Sequence, residues 1–66
     1  MTLDELGLKI QYERKRKGLL QEELAAQANI TTAQLSRYEN GKQKIPVDKL
    51  MVICKILNIE FMLKSD

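Results

Sequence analysis

The chain has 66 residues, 11 of them Lys or Arg against 9 Asp or Glu, with one cysteine and no histidine. A length this short allows a single domain that buries roughly 60% of its unfolded surface, which leaves no room for a separate enzymatic domain. A net charge of +2 does not by itself name a nucleic-acid partner, and a lone Cys54 without any His excludes an internal disulfide and the ligand spacings that hold zinc.

One free cysteine fits a reducing compartment, and the polar, acidic stretch Thr2 to Glu5 does not read as a signal peptide. The longest mainly apolar run, Leu50 to Leu57, falls far short of a membrane span. A cytoplasmic, all-α protein with residues 1–66 in one domain is the expectation, with no membrane partner, no cofactor and no metal.

Gly18, Asn29, Gly41 and Pro46 punctuate the chain into helix-length pieces, and five short helices are predicted. The first begins at Thr2, whose hydroxyl caps while Glu5 reaches back, and runs to about Lys17 with Leu3, Leu6 and Ile10 on one face. The second covers Gln21 to about Ala28 and turns Leu24, Ala25 and Ala28 inward, after which Asn29 tolerates left-handed geometry. Thr31 caps a third helix, Thr32 to about Asn40, whose inward residues are Leu35 and Tyr38. After Lys42 to Pro46, a fourth helix from about Val47 to Leu57 aligns Leu50, Ile53, Cys54 and Leu57. Asn58 caps it, and Ile59 to Leu63 supplies a short fifth helix.

Acidic residues gather at helix starts (Asp4, Glu5, Glu22, Glu23), where they favour the helix dipole. Positive charge sits in Arg14 to Lys17 and in Arg37, Lys42 and Lys44; alone, the first run reads as a solvated helix end. Its meaning changes with the segment between the two clusters. From Gln21 to Asn40 the pattern is helix, tight turn, helix, with small Ala25 at the expected crossing and Ile30 plugging the turn.

If Leu35 and Tyr38 point inward, then Thr32, Ala33, Ser36, Arg37 and Asn40 face outward. Short side chains and one arginine suit a helix that enters a DNA major groove. The Arg37 fork matches guanine O6 and N7, Thr32 offers a hydroxyl or methyl, Ala33 packs on a thymine methyl, and Gln34 at the edge reaches an adenine or the backbone. Gln21, Asn40, Lys42 and Lys44 are the candidate phosphate contacts.

The segments Leu6-Gly7-x-x-Ile10, Arg14-x-x-x-Gly18-Leu19, Gln21-Glu22-Glu23-Leu24-Ala25 and Leu35-Ser36-Arg37-Tyr38-Glu39-Asn40-Gly41-Lys42 resemble the Cro/CI-type (XRE-like) helix-turn-helix family of phage repressors and small bacterial regulators. The likeness extends from about Leu6 to Leu63. It implies a five-helix, lambda-repressor-like domain that binds pseudo-palindromic operators as a dimer, with the third helix in the major groove and Gln21, Asn40 and Lys42 at phosphates. It also implies a structural ion pair between Arg14 and Glu39, which cancels a carboxylate that would repel phosphates. The chain departs from the family pattern at Leu20, where a Ser, Thr or Asn cap is usual, at Asn29 in place of glycine, and at Glu60 in place of a capping hydroxyl.

Apolar residues outside the inward stripe of the fourth and fifth helices, namely Met51, Val52, Ile56, Phe61 and Met62, are the expected homodimer interface. Cys54 reads as a small core residue rather than a redox sensor. The expected function is a sequence-specific, double-stranded DNA-binding transcriptional regulator, a repressor by occupancy, in a bacterium or phage and with no small-molecule ligand. An enzyme is not expected, because no nucleophile and base can be paired. Single-stranded RNA binding needs exposed aromatics, and Tyr12, Tyr38 and Phe61 read mostly as core. The rival reading is a partner-dependent interaction module, such as an antitoxin-type or co-regulator subunit, against which Arg37, Lys42 and Lys44 argue.

Overall fold

Four helices fill the computed structural model, which describes residues 1–59: α1 Leu3–Arg16, α2 Gln21–Gln27, α3 Thr32–Glu39 and α4 Val47–Leu57. The starts of α1 and α3 are fixed by the same chemistry. Thr2 Oγ1 accepts from the Glu5 amide at 3.1 Å while Glu5 Oε1 accepts from the Thr2 amide at 2.8 Å. Thr31 and Gln34 repeat this exchange at 3.0 and 2.9 Å, so amides that would otherwise lack partners are satisfied at both ends of the box. Leu20, which precedes α2, has no side-chain acceptor, yet half of the box survives because Glu23 Oε1 accepts from the Leu20 amide at 2.8 Å.

The helix ends share one device. A residue with positive φ (Gly18, Asn29, Gly41 or Asn58, at 72°, 58°, 68° and 58°) turns the chain back. The next amide then donates to a carbonyl five residues earlier: Leu19 to Arg14, Ile30 to Ala25, Lys42 to Arg37 and Ile59 to Cys54, at 2.9–3.1 Å. In three of the four cases the donor residue is apolar, and Leu19, Ile30 and Ile59 each fold against the core. The turns therefore contribute packing as well as closing the helices.

The core joins all four helices through Ile10, Leu24, Ala25, Ala28, Leu35, Tyr38, Ile53 and Leu57, with Leu6, Leu50 and Ile56 packed at its margin. Ile45 belongs to it as well. That residue lies in the connection to α4, where no helical period could flag it. Cys54 is buried on α4, and the apolar surroundings push its thiol pKa up. Where α1 passes α3, a Cβ on Gly7 would meet the carbonyl oxygens of Tyr38 and Glu39, so only glycine permits this approach.

Some expectations change. Among the described residues there are four helices, and the fifth, expected over 59–63, falls outside them except for Ile59. Leu3 was expected on the inward face but is 40% exposed, because it opens the first turn beyond the edge of the core. Tyr12, expected to be core, is 61% exposed on the solvent side of α1. Ile56, expected at an interface between copies, is half-buried against this chain's own core, whereas Met51 and Val52 are exposed. Phe61 and Met62 lie outside the described residues.

Candidate nucleic-acid interface

The helix α3 divides into two sides. Leu35, Tyr38 and Glu39 are buried, while Thr32, Ala33 and Arg37 are exposed and Ser36 and Gln34 half-buried. This follows from 3.6-residue periodicity applied to a sequence whose apolar members sit three apart.

Glu39 on the inward side is 2% exposed and fully engaged. Arg14 Nε donates to its Oε2 at 2.7 Å and Arg14 Nη2 to its Oε1 at 3.0 Å, a two-pronged pair. Arg14 Nη1 donates to the Leu19 carbonyl at 2.8 Å, which ties the end of α1 to the same point. Gln21 Nε2 donates a third bond to Glu39 Oε1 at 3.0 Å. The first residue of α2 is therefore partly committed inward, and the second hydrogen of its amide has no partner among the described residues. The net result is a carboxylate removed from the surface that α3 presents.

On the outward side, Arg37 Nε donates to Gln43 Oε1 at 2.9 Å. Asn40 Nδ2 donates to the Ser36 carbonyl at 2.9 Å and lies 3.4 Å from Ser36 Oγ, and its side chain is exposed. Lys42 and Lys44 follow, both exposed. Gln34 differs from its sequence reading. Its Oε1 accepts from the Thr31 amide in the capping box, so the paired donor and acceptor that would read an adenine are not both free. What it can still offer is its amide as a donor.

A second charged cluster lies on α1, spaced for a helix although the sequence reading did not single it out. Glu13, itself buried, meets Lys9 Nζ at 3.3 Å, Arg16 Nη2 at 3.1 Å and Lys17 Nζ at 3.6 Å. Burial raises the Glu13 pKa, but hydrogen bonds from Arg16 and Lys9 outweigh it and hold the carboxyl below its ordinary 4.5. Part of the basic run 14–17 is thereby spent within the chain: Arg14 on Glu39, Arg16 and Lys17 on Glu13. Among the described residues, Lys15 of that run and Arg37, Lys42 and Lys44 around α3 are exposed and enter no salt bridge.

Gln43 is the residue the sequence reading missed. It sits in a connection without periodicity, and only the return of the chain alongside α3 brings it to Arg37. Among the described residues, no helix is long and apolar enough to cross a membrane.

Similar folds occur in proteins with known roles. The structure superposes on the clp gene regulator ClgR from Corynebacterium glutamicum with a TM-score of 0.84 at 26% identity, covering 88% of this chain and 62% of that one. This chain thus spans less than two thirds of the ClgR chain. It also superposes on the restriction-modification controller protein C.AhdI from Aeromonas hydrophila with a TM-score of 0.82 at 26% identity, covering 88% of this chain and 84% of the other. No curated protein matches the sequence. The helix-turn-helix family model matches residues 10–63, most of the length and all of the α2–turn–α3 unit, and the chain belongs to that family.

Proposed function

We propose that residues 1–66 form one DNA-binding domain of a transcriptional regulator, which binds a pseudo-palindromic operator as a homodimer, lays α3 in the major groove and represses by occupancy. The observation that carries this reading is the division of α3. Its outward side offers Thr32, Ala33 and Arg37 to solvent beside the exposed Lys42 and Lys44, while its one carboxylate, Glu39, is turned inward and neutralised by Arg14. A helix whose outward side carries a positive charge and no carboxylate suits a groove lined by phosphates.

In this reading Arg37 reads guanine, Thr32, Ala33 and Ser36 complete base contact, and Gln34 contributes only its amide donor. Gln21, Asn40, Lys42 and Lys44 hold phosphates and set the register without specifying sequence. One recognition helix covers few base pairs, so affinity comes from linking two modules whose half-sites lie about one helical turn apart. Met51 and Val52, 53% and 40% exposed on α4, supply apolar surface for that pairing together with Phe61 and Met62. The two similar structures belong to a gene regulator and a restriction-modification controller, which agrees with a regulatory role.

The test is selection of bound duplexes from a random library at near-physiological salt. Enrichment of an inverted repeat, with a sedimentation profile showing dimers, is the expected result. Folded protein that enriches nothing would replace this reading with a partner-dependent interaction module.

A further inference from the structure

We propose that Gln43 is a positioning residue for base readout: it fixes the guanidinium of Arg37 so that the Nη1/Nη2 edge is presented to the DNA. The inference rests on the duplex-binding reading above and adds to it a residue outside the recognition helix.

An exposed arginine samples many rotamers, and that freedom is lost on binding. Here Arg37 is exposed in the last turn of α3, but its Nε donates to Gln43 Oε1 at 2.9 Å. The acceptor sits on a connection held at both ends. Before it, the Lys42 amide donates to the Arg37 carbonyl at 2.9 Å across Gly41 at φ 68°. Two residues after it, Ile45 is buried in the core. Gln43 is thus carried by the same fold that positions α3.

A guanidinium can form a two-donor fork along its side, through Nε and one Nη, or at its end, through both Nη atoms. Gln43 occupies Nε, which leaves the end edge whole and matched to guanine O6 and N7. The chemistry of the acceptor separates Arg37 from Arg14. Arg14 gives Nε and Nη2 to the carboxylate of Glu39, and its charge is spent. Arg37 gives Nε to a neutral amide, so orientation is gained while the full positive charge is kept for the ligand.

The experiment measures base preference at each operator position for the full chain and for the Arg37→Ala, Gln43→Ala, Gln43→Glu and Arg37→Ala/Gln43→Ala variants, with melting curves on each. Gln43→Ala is expected to lower preference about 2- to 10-fold at the base pair that Arg37→Ala relaxes, as for loss of one hydrogen bond, and to leave other positions and the melting temperature unchanged. Added to Arg37→Ala, it should do nothing further at that position. Gln43→Glu should restore the preference there while weakening binding to every duplex. Preference intact in Gln43→Ala, or lowered equally at all positions, overturns the proposal and leaves duplex recognition standing. A parent chain with no preference, or an Arg37→Ala variant that relaxes none, overturns the duplex-binding reading or its Arg37 assignment, and this proposal with it.

Discussion

The two sides of α3 are built from one eight-residue helix yet are held by opposite means. The inward side is locked: Leu35 and Tyr38 sit in the core, and Glu39 takes three hydrogen bonds from two other helices. Among the described residues, the outward side is tethered by exposed contacts: Arg37 to Gln43, Asn40 to Ser36 and Gln34 to Thr31. Side chains can therefore change on one side without disturbing the packing on the other. A rigid scaffold carrying a variable surface is the division of labour that binding requires.

Arg14→Ala tests the locked side and should have the largest effect. It leaves Glu39 buried with Gln21 as its remaining side-chain partner, and the expected cost is about 3 to 5 kcal/mol in urea denaturation. A loss below about 1 kcal/mol, as for a surface pair, would mean that the two sides are not mechanically distinct. Arg37→Ala tests the free side. It should remove about 1 to 3 kcal/mol of discrimination at one base pair in competition titrations. Its stability should stay within about 0.5 kcal/mol of the parent, and a larger loss would make Arg37 part of the scaffold.

Leu20→Ser sharpens the contrast between the start of α2, with half a capping box, and that of α3, with a complete one. The added hydroxyl should stabilise by about 0.5 to 2 kcal/mol in thermal melts, and no gain would show that Glu23 alone suffices. The smallest effect concerns the acidic groups of α1. A backbone hydrogen bond from Thr2 is the main cause that lowers the Glu5 pKa, and Arg16 and Lys9 lower that of Glu13, both from 4.5. Because the folded values are depressed, their contribution is present above 4.5 and is lost as pH falls through the folded values. Melting temperatures recorded on acidification should drop in this window, and less so in Glu13→Gln.

Much of this is legible in the sequence alone. The box of Thr2 and Glu5, the cap at Thr31, the left-handed turns at Asn29 and Asn58 and the span Val47–Leu57 are local events, decided by residues within one helical turn of each other. The core positions Leu24, Ala25, Ala28, Leu35, Tyr38, Ile53 and Leu57 followed from the same periodicity. Where reading failed, periodicity had nothing to act on or the surroundings overruled it. Tyr12 is aromatic but faces water, and Ile56 lies outside the main stripe of α4 yet touches the core.

The sequence by itself determined the helices, their ends and the spacing that makes α2 and α3 a helix-turn-helix, because caps, glycines and apolar periods act over a few residues. Only the tertiary structure decided how charge and hydrogen bonds are spent. The Arg14–Glu39 pair was already implied by the family resemblance, but Gln21 joining it from 18 residues away and Gln43 reaching Arg37 on the connection that Ile45 anchors in the core were not. Such pairings depend on where separate elements come to rest against one another, and no local rule carries that information.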